Sequence, residues 1–417
     1  MSNAEQPVFR WRSIALPALL PTLLFAIGSG AIIPIIPVVA SRLGEDLFDD
    51  LPTVLAVAGV ISALIMIGEL IGNIPSGWLV SRVGERPAMI GAALFSIVGL
   101  AVCLLSTTPW MLGVGVFIVG LATAVFALAR HAYMTTAVPR SHRARALSTL
   151  GGLFRLGYFV GPFLTAGALT IFGGFEAAFW IHIVMCLATA GVLLLVGDPP
   201  ETHGRTPGEE FVEREAIGLF RTIAARRDVL VRMGTGAAII SGLRAARTVV
   251  LPLWAVSIGL DDVTTALIIG IAAGVDFALF YAGGWIMDRH GRLWTALPSA
   301  LGLSLGFIAL SLTHEADARV GWFVALAMVM AVANGIGSGI LMTIAADLAD
   351  PADPAPFLGA FRFTSGLGNA SAPVLVAGIT AVSSLSIAAA AMGGLGVLGA
   401  LILLRYVPRY ASRTPPA

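Results

Sequence analysis

Long apolar stretches recur along the whole chain, separated by short polar connections. A helix needs about 20 apolar residues to cross a bilayer. Twelve segments reach that length: 14–40, 53–80, 87–106, 110–136, 145–172, 176–197, 229–257, 263–286, 294–313, 320–346, 356–382 and 384–406. Several run past 25 residues, a length that tilting or extension into water accommodates. One connection is long and polar. Residues 198–228 carry Pro199, Pro200 and Pro207 among mixed charges. This stretch reads as a linker, with a short surface helix expected around 210–226, between six spans in 1–197 and six in 229–417.

Composition fits a membrane solvent. Of the 417 residues, 57% are hydrophobic and 12% charged, against about 25% charged in soluble domains. The mean hydropathy is +0.91. A net charge of +1 suggests neither nucleic acid nor a strongly charged surface partner. Cys103 and Cys186 both sit in apolar runs, which argues against a disulfide framework or a metal site. The first apolar run is longer than a signal-peptide core and lacks a clear cleavage pattern, so it reads as a retained first helix.

Arginine placement sets the orientation. All 25 basic residues are arginine. With the N-terminus in the cytoplasm, Arg10, Arg12, Arg82, Arg86, Arg140, Arg143 and Arg145 fall inside, as do the linker arginines. Arg289, Arg292, Arg405, Arg409 and Arg413 join them, whereas only Arg42 and Arg319 lie outside. The positive-inside rule therefore gives N-in, C-in. The outer loops are acidic, with Glu45, Asp46, Asp49, Asp50, Asp261 and Asp262.

The halves repeat. At an offset of 207 residues, Gly77-Trp78 matches Gly284-Trp285, Arg82 matches Arg289, Gly84 matches Gly291 and Glu69 matches Asp276. A parallel duplication of six helices is a transporter architecture. The loop after the second helix reads Gly77-Trp78-Leu79-Val80-Ser81-Arg82-Val83-Gly84-Glu85-Arg86. That after the eighth reads Gly284-Trp285-Ile286-Met287-Asp288-Arg289-His290-Gly291-Arg292. This pattern resembles the glycine–aspartate–arginine–glycine–arginine loop of the major facilitator superfamily. The second copy is nearly complete. The first has Ser81 in place of the acid and Glu85 in place of a base.

The fifth helix carries Gly157-Tyr158-Phe159-Val160-Gly161-Pro162, similar to the Gly-x-x-x-Gly-Pro motif of the drug/proton antiporter branch, with Thr165-Ala166 where the closing glycines would stand. A faded copy runs from Gly368 to Ala372-Pro373. Proline bends a helix and small residues permit close crossing, so generic membrane packing is the competing reading. The resemblance implies an all-α integral membrane protein of two pseudo-symmetric six-helix bundles. It also implies a cytoplasmic latch in which Asp288 and Arg289, with Arg292, hold the inner gate, the small motif glycine letting helices approach.

Seven ionisable residues lie well inside spans: Glu69, Arg130, Arg155, Arg244, Arg247, Asp276 and Arg362. Each costs about 3 kcal/mol at the bilayer centre if it faces lipid, so these groups are expected to pair or to line water. They avoid the third, sixth, ninth and twelfth spans, which in the superfamily face lipid. Glu69 and Asp276 are candidate proton carriers, with a fixed ion pair to an arginine as the alternative for each. By resemblance Arg130 modulates a nearby acid; the alternative is snorkelling to the cytoplasmic surface. His131 reads as a titratable or merely satisfied polar group, and His182 as structural. Arg155, Arg244, Arg247 and Arg362 are cavity candidates, joined by Tyr158, Trp254 and Tyr281 as aromatic walls. Five arginines against two acids leave an excess of +3, which favours anionic or zwitterionic amphipaths unless backbone carbonyls and loop acids such as Asp347 absorb it. Gly335-x-Gly337-x-Gly339 lacks a preceding strand and reads as a hinge or close crossing rather than a nucleotide loop.

The expectation is thus a monomeric, multi-pass secondary transporter of a bacterial plasma membrane. It exports small amphipathic molecules against protons by alternating access, with no enzyme chemistry, cofactor or metal. An uncoupled facilitator or lipid translocator is the alternative; a non-transporting membrane sensor is a third reading.

Overall fold

The computed structural model describes residue 11 and residues 14–196, 210, 219–350 and 353–410, without side chains at 140, 141, 143, 144 and 220. The expected boundary at 197 and most of the 198–228 linker lie outside the described residues, as does most of the surface helix expected at 210–226. A helix at Leu219–Ala225 is described.

Among the described residues, twelve helices are long and apolar enough to cross a membrane. They are α1 Ala15–Glu45, α2 Leu51–Val83, α3 Glu85–Leu104, α4 Pro109–Ala137, α5 Arg145–Phe172 and α6 Glu176–Leu195, then α7 Arg227–Ser257, α8 Asp262–His290, α9 Leu293–Leu312, α10 Arg319–Leu348, α11 Ala355–Val382 and α12 Leu385–Tyr410. No strand occurs among the described residues. In lipid a backbone without internal hydrogen bonds is prohibitive, which is why the spans are helical. Each span matches its apolar segment to within a few residues, and α5 is all but the first turn of a helix that begins at Arg140.

Local chemistry sets the ends. Asp50 and Asp261 cap α2 and α8 by accepting from the Thr53 and Thr264 amides at 2.8 and 2.9 Å. Those bonds hold both carboxyls below the usual carboxylate range. At the other end of the same helices, the motif glycines Gly84 and Gly291 take φ of 90° and 94°. Only glycine adopts such angles without strain, so the repeated glycine is needed for the turn into the next helix. Pro34 and Pro37 break α1 after Ile32.

Glycines also fix the crossings. A Cβ on Gly161 would lie 2.5 Å from the Ala31 amide nitrogen, and one on Gly368 would lie 2.5 Å from the Ala238 carbonyl carbon. Both partners sit at the same offset of 207 residues, so α5 on α1 and α11 on α7 are one crossing made twice. Thr165, at a position where the resemblance expects a glycine, donates to the Ala31 carbonyl of α1 at 3.0 Å. The halves meet along α2 with α11 and α5 with α8. Helices α3, α6, α9 and α12 show exposed apolar stripes at helical spacing, among them Leu94 and Val98, Trp180 and Val184, Leu301 and Leu305, and Leu398 and Leu401. None of the seven ionisable residues well inside the spans falls on these four helices, as expected of lipid-facing helices.

The glycine-rich segment of α10 is both a crossing and a break. The first part ends at Ile336, Gly339 takes φ of 77°, and the helix resumes at Ile340. Just before the break, a Cβ on Gly335 would lie 3.0 Å from the Asp276 carbonyl oxygen. The close approach sets Asn334 against Asp276, and at the break the Gly337 carbonyl keeps only a long bond from the Ile340 amide, at 3.4 Å.

Candidate functional site

Asp276 stands where the halves join. Its Oδ1 lies 2.6 Å from Arg155 Nη1 of α5. Its Oδ2 accepts from Asn334 Nδ2 of α10 at 2.5 Å and lies 3.5 Å from Arg247 Nη2 of α7. One carboxylate thus holds two guanidiniums and an amide, each from a different helix. Charge-assisted bonds of this kind satisfy groups that lipid cannot.

Two cavities flank this network. The inner one, about 350 Å³, is lined by His131, Arg155, Arg244 and Arg362 with an apolar wall that includes Met342 and Phe361. The outer one, about 80 Å³, is lined by Tyr158 and Arg247 with Gly30, Pro34, Pro162 and Leu251. Arg155 reaches Asp276 from the inner cavity and Arg247 reaches it from the outer one. Arg244 and Arg247 share a face of α7 but serve different partners: Arg244 Nη2 donates to the Gly337 carbonyl at 2.6 Å. Arg244 Nε and Arg247 Nη1 are buried and find no acceptor among the described residues. Arg155 and Arg362 are themselves related by the offset of 207 residues, so each half gives this cavity an equivalent arginine.

Glu69 is placed differently from its symmetry mate. It is half-buried in α2 and makes no hydrogen bond or ion pair among the described residues. Tyr158 lies within electrostatic reach of both Glu69 and Arg130. Arg130 sits over the Phe154 ring at 5.6 Å rather than in an ion pair, and Phe154 packs on Tyr158 at 4.7 Å. Gly157, Gly161 and Pro162 bring this face of α5 against α1.

Other expected site residues lie elsewhere. Trp254 is fully buried and edge-on to His314 at 5.0 Å, away from both cavities, because the outer end of α7 packs into the core. Tyr281 is 63% exposed and lines neither cavity. Phe361 is the aromatic residue that lines the inner cavity. His182 is fully buried beside Phe25, ring to ring at 5.4 Å.

The cytoplasmic loops also depart from expectation. Asp288 and Arg289 are exposed and make no ion pair among the described residues. Arg289 instead covers the Trp285 ring at 5.4 Å, as Arg82 covers Trp78 at 4.6 Å. The ion pair belongs to Arg292, whose Nε lies 2.9 Å from Asp347 Oδ2 at the inner end of α10. That bond raises the Arg292 pKa. Gly284 is at no crossing, since a Cβ there would meet nothing within 4 Å; its neighbour Gly283 abuts Ile336. Glu85, the departure from the motif, is buried and accepts from Thr136 at 2.5 Å. Arg86 donates to the Leu193 carbonyl at the end of α6 at 2.6 Å.

On the outer side, Arg42 Nη2 of α1 lies 2.6 Å from Asp262 Oδ2 of α8, with the guanidinium 4.2 Å over the Phe175 ring. This pair bridges the halves. The positions were legible as outward-facing charges, but their partnership was not.

The sequence profile described as Major Facilitator Superfamily matches residues 18–318 and 277–417. The chain belongs to the Major Facilitator Superfamily. It is a multi-pass membrane transporter. Its sequence is similar to a tetracycline resistance protein, class H, of Pasteurella multocida, 35% identical over 150 residues that make up 35% of each protein. A tetracycline resistance protein, class B, of Escherichia coli is 24% identical over 326 residues, 76% of each chain. The fold is that of a POT family transporter solved with a thioalcohol-conjugated peptide (TM-score 0.77, 13% identity, covering 96% of this chain and 97% of the other). A D-xylose–proton symporter has the same fold (TM-score 0.70, 18% identity, covering 97% and 99%).

Proposed function

We propose that the transporter exports small amphipathic molecules from a bacterial cell across its plasma membrane, driven by inward proton flow and working by alternating access as a monomer. The observation that carries this reading is the contrast between two symmetry-related acids. Asp276 is held by Arg155, Arg247 and Asn334, whereas Glu69 has no hydrogen bond or ion pair among the described residues. A carboxylate inside a span that no ion pair ties down can take up and release a proton when water reaches it. Tyr158 links it electrostatically to Arg130 and also lines the outer cavity, which gives the proton state of Glu69 a route to the substrate path. Similarity to tetracycline resistance proteins supports export. Asp276 acts in this reading as the charged joint between halves. Arg292 with Asp347 stiffens the cytoplasmic end, and Arg42 with Asp262 closes the outer end.

Proteoliposomes under an imposed pH gradient test the proposal. Wild-type protein is expected to move an amphipathic fluorophore only when the gradient is present. Glu69→Gln is expected to abolish gradient-driven flux while leaving exchange at equal pH intact. Gradient-driven flux in Glu69→Gln with an unchanged pH profile would rule out this acid as the carrier. Flux indifferent to a protonophore would favour a facilitator.

A further inference from the structure

The geometry points to the inner cavity as an oxyanion receptor, one whose ligand is an amphipath with a carboxylate, sulfonate or phosphate head and a compact apolar body. Its occupancy is sensed through Arg155. This inference deepens the exporter reading and rests on it only for the direction of movement.

Three guanidiniums, those of Arg155, Arg244 and Arg362, line one space of about 350 Å³, a volume within the usual range for small-molecule sites. The acid nearest in function, Asp276, does not line it. Arg244 is aimed by the Gly337 carbonyl through Nη2, while its Nε is buried without an acceptor among the described residues. A guanidinium presents a planar fork that fits a two-oxygen anion, and a cationic ligand here would meet like charges in a medium that screens them poorly. The rest of the lining includes the apolar and aromatic Leu358, Met342 and Phe361, so a head-and-body ligand suits the site better than an inorganic anion.

Arg155 has two allegiances. It lines the cavity and pairs with Asp276 across the halves at 2.6 Å. A bound oxyanion and the Asp276 carboxylate therefore draw on the same guanidinium. Filling the cavity weakens the bond that joins α5 to α8, which couples binding to separation of the halves. Removing the Asp276 charge should leave Arg155 wholly to the ligand.

Equilibrium binding to purified protein in lipid nanodiscs tests this, with empty nanodiscs as the reference for partitioning. The probes are pyrene-1-sulfonate and 1-pyrenemethylammonium, which share a body and differ in head charge. The sulfonate is expected to bind saturably and at least about tenfold more tightly than the ammonium. Arg244→Gln and Arg362→Gln are each expected to weaken the sulfonate about tenfold without changing the ammonium, and Asp276→Asn to tighten the sulfonate about threefold. Equal binding of the two heads in wild-type protein, a readout that depends on no variant, would overturn the inference. So would unchanged sulfonate affinity in both arginine variants that melt cooperatively. The assay uses one pH and no gradient. Proton-driven flux together with ammonium preference defeats this inference alone, while sulfonate preference without proton-driven flux defeats the exporter reading alone.

Discussion

Arg155 Nη1 lies 2.6 Å from Asp276 Oδ1 and thereby joins a helix of the first half to a helix of the second. The pair is only partly accessible, with side-chain exposures of 22% and 12%. In such surroundings the geometry must be good for the bond to offset desolvation, and removing one partner is costly. Asp276→Ala leaves Arg155 and Arg247 facing each other without their shared anion. A loss of about 3 kcal/mol is expected, read as a lowered melting temperature in detergent. Exchanging the charges, with Arg155→Asp and Asp276→Arg together, restores the attraction of this pair but sets a new cation beside Arg247. Partial recovery is therefore expected, better when Arg247→Gln is added. No recovery in the triple variant would show that Asn334 and the local packing, rather than charge, fix this joint.

The outer pair makes a separate prediction. Arg42 and Asp262 are more exposed, at 54% and 23%, so their ion pair contributes little stability by itself. Its importance is positional, since it holds α1 to α8 where the halves close. With cysteines at both positions, a short bifunctional thiol reagent is expected to lock the outer side and stop transport, reversibly with reductant. The native Cys103 and Cys186 are buried and should not compete. Continued transport by fully cross-linked protein would mean that this end does not open during the cycle.

Much of this architecture was legible from residue order alone because lipid leaves a chain few options. Twelve apolar runs had to be twelve helices, and charges well inside the membrane had to keep off the lipid-facing ones. The offset that matches Glu69 with Asp276 was visible in the same way. What the symmetry hid is that these two acids differ in their surroundings. The difference comes from Asn334 and the break at Gly337–Gly339, for which the first half has no counterpart: position 127 is alanine and position 130 is Arg130. An asparagine beside a glycine-rich stretch of an otherwise apolar helix was the available signal. Pairings such as Arg42 with Asp262, or Arg292 with Asp347 in place of Asp288 with Arg289, depend on distances between helix ends that periodicity does not encode. Trp254 is buried and Tyr281 exposed, positions that residue type does not encode because aromatic residues on such helices serve packing and lipid contact as readily as binding.

The duplicated crossing is testable by adding one carbon. Alanine normally stabilises a helix by about 1 kcal/mol over glycine. At Gly161 and Gly368 the added Cβ would press on backbone of α1 and α7, which cannot rotate away. Overpacking of about 1–3 kcal/mol is then expected to dominate. Gly161→Ala and Gly368→Ala should each lower the melting temperature. Gly167→Ala and Gly378→Ala, whose Cβ would meet nothing within 4 Å, should leave it unchanged or raise it. Tolerance at Gly161 and Gly368 would mean that the helices separate there at little cost.

The break in α10 links backbone shape to ligand chemistry. Gly339 takes φ of 77°, which costs a residue with a side chain about 1–2 kcal/mol. Gly339→Ala therefore favours an unbroken helix, in which the Gly337 carbonyl turns back to the amide of residue 341 and leaves Arg244. Without that acceptor Arg244 is free to rotate, and the fork that faces the cavity loses its aim. The expected result is a modest loss of thermal stability together with a weakening of pyrene-1-sulfonate binding by several-fold. Gly321→Ala serves as the reference on the same helix, since its Cβ meets open space. If Gly339→Ala lowers stability but leaves sulfonate binding at the wild-type value, Arg244 does not depend on the break for its orientation. The carbonyl of Gly337 would then be a consequence of the turn rather than a part of the site.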